Sequence, residues 1–169
     1  MDANSKKIAL RMIPYGLYVL TVMDQDGHLS AASINWVTQA SFNPPLLAIG
    51  IKADSHAHEL VKKVGVFALN ILGKGQQNIA FAFFKPAELK DNTISGEPFH
   101  AGNNTGAPIL DQAPAYLECR VVDSIEGKGD HSVFVAEVID AGVSQQPSGR
   151  PDDVTLWLKD LGEKIFYGG

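Results

Sequence analysis

The sequence predicts a single, mainly β domain over residues 1–169, a largely antiparallel barrel with a few flanking α-helices. Three observations predict it. At 169 residues the chain fits one core, and splitting it would leave neither half much apolar surface to bury. Segments rich in β-branched and aromatic residues recur between Gly, Pro, Asn and Asp turn signals. They do not alternate regularly with helices of 10 to 15 residues, as a doubly wound sheet would require. No internal repeat is found.

The first element is a short helix from a Ser5 cap to about Met12, stopped by Pro14 and Gly16. Leu17 to Met23 reads as a strand, and Asp26-Gly27 turns it into a second strand from Leu29 to Thr38. Asn43-Pro44-Pro45 breaks the pattern, and the apolar run Leu46 to Ile51 reads as a central strand buried on both faces. A capping signal at Asp54-Ser55, with Leu60, Val61 and Val64 at helical spacing, predicts a helix that Gly65 ends. Val66 to Leu72 reads as another buried strand. Gln76 to Phe84 reads as a second short helix that buries Ile79, Phe81, Phe83 and Phe84. From Lys85-Pro86 to Pro108 few apolar anchors occur, which predicts a long functional or mobile loop. Two long strands follow, Ala115 to Ile125 and Ser132 to Val143, and one more strand is expected between Leu156 and Tyr167.

Composition and charge exclude several function classes. The net charge is −5 and the 14 Lys and Arg are scattered, so no basic stripe exists for nucleic acid. Cys119 is the only cysteine, which excludes an intramolecular disulfide and a multi-cysteine metal site and suits a reducing cytoplasm. Met1 to Arg11 has neither a signal-peptide nor a transit pattern, and no apolar run approaches the roughly 18 residues of a membrane span. A cytoplasmic protein without a membrane partner is expected.

Several catalytic motifs fail on inspection. His58-Glu59 opens like a zinc-peptidase signature, but position 62 is Lys where a second His is required. His56 and His58 lack the cysteines or carboxylates that would complete a metal site, so no metal is expected. Gly73-Lys74-Gly75 is too short for a phosphate loop, and neither a Gly-x-Ser-x-Gly elbow nor a Gly-x-Gly-x-x-Gly fingerprint occurs. Cys119, in the middle of a strand, reads as a buried small apolar residue.

Three segments carry a different chemistry. The first runs from Ala32 through Ser33-Ile34-Asn35-Trp36-Val37 and Ser41-Phe42-Asn43-Pro44-Pro45 to Leu47. The second is Ile51-Lys52-Ala53-Asp54-Ser55-His56, and the third leads from Glu118-Cys119-Arg120 to Gly129-Asp130-His131. A flavin needs a phosphate site, hydrogen bonds along its pyrimidine edge and one open face. Leaving its hairpin, the first segment can present backbone groups at Asn35, Trp36 and Val37 and hydroxyls at Ser33 and Ser41. Ser55 at a helix start, with Lys52 beside it, either clamps a phosphate or merely caps the helix next to a solvated charge.

In order and spacing these segments resemble the flavin reductase-like family of FMN-binding split barrels, which includes NAD(P)H:flavin oxidoreductases and flavoredoxins. The resemblance covers roughly Gly16 to Val143, and the apolar ending Ile165-Phe166-Tyr167-Gly168 is similar too. It implies a split β-barrel of antiparallel, Greek-key type that binds FMN, or FAD, with NAD(P)H as co-substrate. It implies cofactor contacts at Ser33, Ile34, Asn35, Trp36, Val37, Ser41, Lys52, Ala53, Ser55 and His56. Phe83, Phe84, Lys85 and Lys90 stand where the family brings aromatic and basic groups to the flavin, although Lys85-Pro86 and the loop after it depart from the family wording. His131 would orient a nicotinamide for hydride transfer, with Asp130 either fixing the imidazole or shaping the turn. Ala136 stands where many relatives have glycine. The implied activity is a flavin reductase feeding free flavin or a partner oxygenase. The alternatives are an FMN electron-transfer protein reduced by another protein and a non-catalytic flavin-binding module. A homodimer with flavin at the subunit interface is also implied.

Overall fold

The computed structural model describes residues 1–168. Eleven strands and three α-helices follow in chain order: α1 (Ala3–Arg11), β1 (Tyr18–Met23), β2 (Leu29–Ile34), β3 (Val37–Phe42), β4 (Pro45–Lys52), α2 (His56–Val64), β5 (Val66–Ile71) and α3 (Gln77–Ala82). The short strands β6 (Leu89–Lys90), β7 (Thr93–Ile94), β8 (Glu97–Ala101) and β9 (Pro108–Leu110) precede the long β10 (Ala115–Ile125) and β11 (His131–Val143). Seven strands form one antiparallel sheet in the order β2-β1-β5-β10-β11-β4-β3. Its two edge strands, β2 and β3, are consecutive in the chain and joined only by Asn35 and Trp36. Three Cα–Cα steps span at most about 11 Å, so the sheet must curl until its edges nearly meet. The result is a barrel split between β2 and β3.

Alternation sets the core. Leu47, Ile49 and Ile51 of β4 face inward with Leu20, Phe67, Leu69, Cys119 and Phe134, and Leu60 and Val61 of α2 pack against them. Every second residue of β4 is only partly buried or exposed, so this strand has one buried face instead of the two that its apolar run predicts. The strands that do fit the doubly buried pattern are β1 and β5; on the second face of β5, Ala68 packs with Ala107 and Ile109, while a further cluster of Leu17, Leu72, Ile79, Phe83 and Leu110 fills one end of the barrel.

The helices obey local rules with one shift. Asp2, not Ser5, caps α1: its carboxylate accepts the Ser5 N–H at 2.6 Å. In α2 the Ser55 hydroxyl accepts the His58 N–H, and Gly65 closes the helix in the left-handed region at φ 76°. In α3 only Ile79 and Ala80 are buried, with Phe83 just beyond; Phe81 and Phe84 stack edge to face on the surface, against expectation. Six residues of helix expose one side, and two Phe fall on it.

Three further expectations are corrected. The strand read as Leu29 to Thr38 is two strands, broken where Gly50 N–H donates to Trp36 O at 2.8 Å. The long segment from 85 to 108 is a four-stranded sheet, β6-β7-β8-β9, not a loop. Buried polar groups fasten it. Asn70 accepts Leu110 N–H at 2.8 Å and donates to Val19 O, Thr21 Oγ1 donates to Pro108 O, and Glu118 Oε2 accepts the amides of Asn104 and Thr105. Residues 156–167 form no strand; they hold a 3₁₀ turn at Leu158–Leu161, and Leu17 N–H reaches Leu156 O. Among the described residues no helix is long and apolar enough to cross a membrane.

Candidate functional site

A cavity of about 420 Å³ opens at the split in the barrel. Its walls are the end of β2 (Ser33, Ile34) with Asn35, the end of β4 (Gly50, Lys52), the start of α2 (Ser55, Ala57), Phe83, and residues 165–167. Small-molecule and cofactor sites have this form: mostly apolar lining with a few polar groups that set orientation.

Sequence order explains the convergence. β2 must end where the chain crosses to the opposite edge, so Asn35 and Trp36 carry backbone groups outside any ladder. Val37 N–H turns back to Asn35 O at 3.1 Å. Outside the strand ladders, the Asn35 and Trp36 N–H groups find no acceptor among the described residues. The indole Nε1 of Trp36 is buried and likewise unpartnered. Asn35 lines the cavity, and the two unpaired backbone N–H groups beside it suit the acceptor-rich edge of a flavin.

The opposite end fits an anion. Ser55 Oγ donates to Lys52 O at 2.7 Å and accepts His58 N–H at 3.1 Å, so its hydroxyl is occupied as a cap. That leaves the His56 and Ala57 N–H groups at the helix start, where the dipole is positive and Ala57 lines the cavity. Lys52 adds a cation, and its hydrogen bond to Asp54 raises its pKa above the ordinary value. The residues therefore suit a phosphate through backbone donors more than through the Ser55 hydroxyl.

A histidine lies just outside the lining, behind Tyr167. β11 begins at His131, in register with Lys52 of β4. His131 Nδ1 lies 2.9 Å from Asp130 Oδ1, and Nε2 lies 2.8 Å from the Tyr167 hydroxyl. The contact with His131 holds the Asp130 carboxyl below its ordinary pKa, and burial pushes the Tyr167 hydroxyl up. The His131 ring centroid is 4.4 Å from that of Trp36. Beneath them His58, buried, lies 2.8 Å from Ser132 Oγ and ties α2 to β11.

Of the site residues read from sequence, Ser33, Ile34, Asn35, Lys52, Ser55 and Phe83 line the cavity. Ser33 does so with its hydroxyl committed: it donates to Ala80 O at 2.8 Å, and its N–H donates to Phe83 O, so it docks α3. Trp36 lies behind His131, Val37 sits in β3 opposite Ile49, and Ala53 N–H donates to Asp130 O at 2.9 Å. These second-rank positions brace the wall. His56 is exposed beside Glu59, and Ser41 lies further along β3, away from the cavity. Lys85 borders a separate shallow depression, and Lys90 is exposed in β6. The structure thus does not bring Ser41, Lys85 or Lys90 to the cavity, and Trp36, Val37, Ala53, His56, Asp130 and His131 lie outside its lining, His131 touching it only through Tyr167. Sequence reading missed Gly50, Ala57 and Tyr167 as cavity residues. Tyr167, with Ile165 and Phe166 beside it in the lining, left a signal in the apolar ending.

Comparison with known proteins bears on the family and the fold. A family profile described as flavin reductase like domain matches residues 10–160. The reductase component of 4-nitrophenol 4-monooxygenase/4-nitrocatechol 2-monooxygenase from Rhodococcus opacus is 35% identical over 80% of this chain and 68% of its own. Diflavin flavoprotein A 1 of Synechocystis sp. is 33% identical over 86% of this chain, which spans only 25% of that longer protein. Among solved structures, the NADH:FAD oxidoreductase of Streptomyces globisporus C-1027 superposes with a TM-score of 0.67 at 31% identity, covering 78% of this chain and 76% of its own. With a matched profile over most of its length and a curled sheet of the same fold, the chain belongs to the flavin reductase like domain family.

Proposed function

We propose that this chain is an NAD(P)H-dependent flavin reductase that holds FMN, or FAD, in the cavity at the barrel split. It passes electrons to free flavin or to a partner oxygenase in a reducing cytoplasm. One observation supports the reading above all: Asn35, with its unpaired N–H, the start of α2 and Tyr167, which holds His131, line one cavity. The similarity to a monooxygenase reductase component and to an NADH:FAD oxidoreductase supports it.

Bound flavin would supply a two-electron acceptor for hydride from the nicotinamide. The chain's own residues do the rest. The Asn35 and Trp36 amides hold the ring edge, and the His56 and Ala57 amides with Lys52 hold the phosphate. Phe83 and Ile34 exclude water from the apolar wall. Asp130 accepts from Nδ1 of His131 and fixes the tautomer, so that Nε2 faces the site as an acceptor. Positioning of this kind carries much of the rate when the cofactor does the chemistry.

A second reading, an electron carrier reduced by a protein partner, is favoured by the Tyr167 hydroxyl on the same Nε2. One experiment separates the two. Purified protein loaded with FMN is expected to bleach anaerobically on adding NADH or NADPH, and His131→Ala is expected to slow bleaching while keeping the flavin. Bleaching by neither nucleotide selects the carrier. A colourless protein without FMN affinity refutes both.

The proposal includes a homodimer. α1 buries none of its residues, and Phe42 at the tip of the β3–β4 hairpin is 91% exposed, so apolar surface is available to a second copy. Sedimentation as a monomer at full flavin occupancy would contradict it.

A further inference from the structure

Residues 165–168 lie across the face from which a nicotinamide would reach His131. They form no regular secondary structure. Their attachments are few: Asn35 Nδ2 donates to Tyr167 O and Arg11 Nε to Gly168 O, both at 3.4 Å, and the Arg11 guanidinium stands 4.2 Å from the Phe166 ring centre. Phe166 is 51% exposed and Tyr167 46%. A segment held this way opens at low cost.

What it covers is chemically specific. With Nδ1–H donated to Asp130, Nε2 is left as the acceptor, and the Tyr167 hydroxyl fills it. Beside it the buried indole N–H of Trp36 has no acceptor at all. Gly168 lies over that indole; a Cβ placed on it would be 3.6 Å from Nε1. The closed arrangement thus satisfies the histidine and leaves the tryptophan desolvated. A primary carboxamide offers what both lack once the segment lifts: N–H for His131 Nε2 and C=O for Trp36 Nε1–H. The two rings pack against each other, 4.4 Å apart between centroids, so the two nitrogens belong to one packed aromatic pair.

We propose that Tyr167 is a gating residue for the pyridine nucleotide: its hydroxyl occupies the His131 acceptor, and its departure exposes Nε2 of His131 and Nε1 of Trp36 as a two-point site for the nicotinamide carboxamide. This rests on the role given to His131 above. The closed fraction lowers apparent nucleotide affinity, because only open molecules bind.

Two measurements test it on the FMN-loaded protein. Tyr167→Phe keeps the ring and removes the hydroxyl, and is expected to lower KM for NAD(P)H by about fivefold with kcat at least as high, as expected when the closed fraction shrinks. General damage to the site would instead raise KM and lower kcat. Independently of turnover, carbethoxylation of His131 by diethyl pyrocarbonate, mapped by mass spectrometry, is expected to run severalfold faster in Tyr167→Phe. The exposed His28, His56 and His100 serve as internal references. An unchanged or raised KM, or an unchanged His131 rate, overturns the gate. A wild-type protein that holds flavin and oxidises neither nucleotide removes the His131 role and the gate with it. That outcome is distinct from failure of the gate alone, in which the wild type turns over and Tyr167→Phe matches it.

Discussion

Replacing Glu118 with alanine tests how the sheet of β6 to β9 is held to the barrel. Glu118 is fully buried in β10, and its Oε2 accepts Asn104 N–H at 3.0 Å, Thr105 N–H at 2.6 Å and the Thr105 hydroxyl at 2.7 Å. Its Oε1 has no partner. Hydrogen bonds to a charged group contribute about 1.5–3 kcal/mol each, and a buried donor left unpaired costs about 1–3 kcal/mol. Asn104 is exposed, so water can replace that bond; Thr105 is half-buried, and its hydroxyl can rotate toward solvent. The main loss is therefore the Thr105 N–H, about 2 kcal/mol, with about 1 kcal/mol each from the other two bonds. Relief from burying a half-satisfied carboxylate returns part of it. A net destabilisation of about 2–4 kcal/mol is expected, or roughly 5–15 °C in Tm for a chain of this size. Urea unfolding with m unchanged measures it, and hydrogen exchange at Asn104 and Thr105 should accelerate. A loss below about 1 kcal/mol would refute the reasoning, since it would leave the three bonds with no net effect. Glu118→Gln keeps an acceptor for the same donors and is expected to fall between the two.

Other perturbations address the thiol, the phosphate site and the wall. Burial, with Glu118 adjacent, pushes the Cys119 thiol up to about 12. The folded state therefore binds a proton that the unfolded thiol releases near pH ~8.5, and stability falls as pH rises from there toward about 12. From pH 8.5 to 10 the wild type should lose about 2 kcal/mol more than Cys119→Ala, and equal slopes would contradict the burial argument. Ser55→Asp keeps a good N-cap while placing a negative charge at the start of α2. Tm is expected to hold and FMN affinity to fall about tenfold or more; unchanged affinity would remove the phosphate from that helix. Ser33→Ala frees the Ala80 carbonyl, with an expected cost of about 1 kcal/mol and weaker flavin fluorescence quenching, while tighter binding would mean that α3 does not shape the wall.

Much of the framework was legible because local rules and tertiary demand agree. The α2 helix carries its own start and stop in Ser55 and Gly65, and β10 and β11 are long strands joined by a polar turn at Glu126 to Asp130. The misread elements share a cause in distant partners. The break at Asn35-Trp36 follows from Trp36 pairing with Gly50 of β4 while β2 pairs with β1 at the opposite edge of the sheet, and the pattern of residues 29–38 has no mark of it. The small sheet after Pro86 hangs on Asn70, Thr21 and Glu118, polar residues far away in sequence that apolar periodicity does not register. For the site, Asn35, Lys52, Ser55 and Phe83 were legible as members, but the hydroxyls of Ser33 and Ser55 turned out to be spent on structure. In the proposed site backbone amides would take over the role those hydroxyls were expected to play, and amides leave no trace in residue identity. Tyr167 reaches His131 across 36 positions, a contact only the folded chain reveals.

The central claim is that one cavity at the barrel split seats a flavin by its ring edge and its phosphate. A crystal structure of the FMN complex tests it most directly. The account expects the pyrimidine edge within hydrogen-bond reach of the Asn35 and Trp36 amides and the phosphate against the His56 and Ala57 N–H groups beside Lys52. Flavin seated elsewhere on the protein, with this cavity closed by side chains, would contradict it.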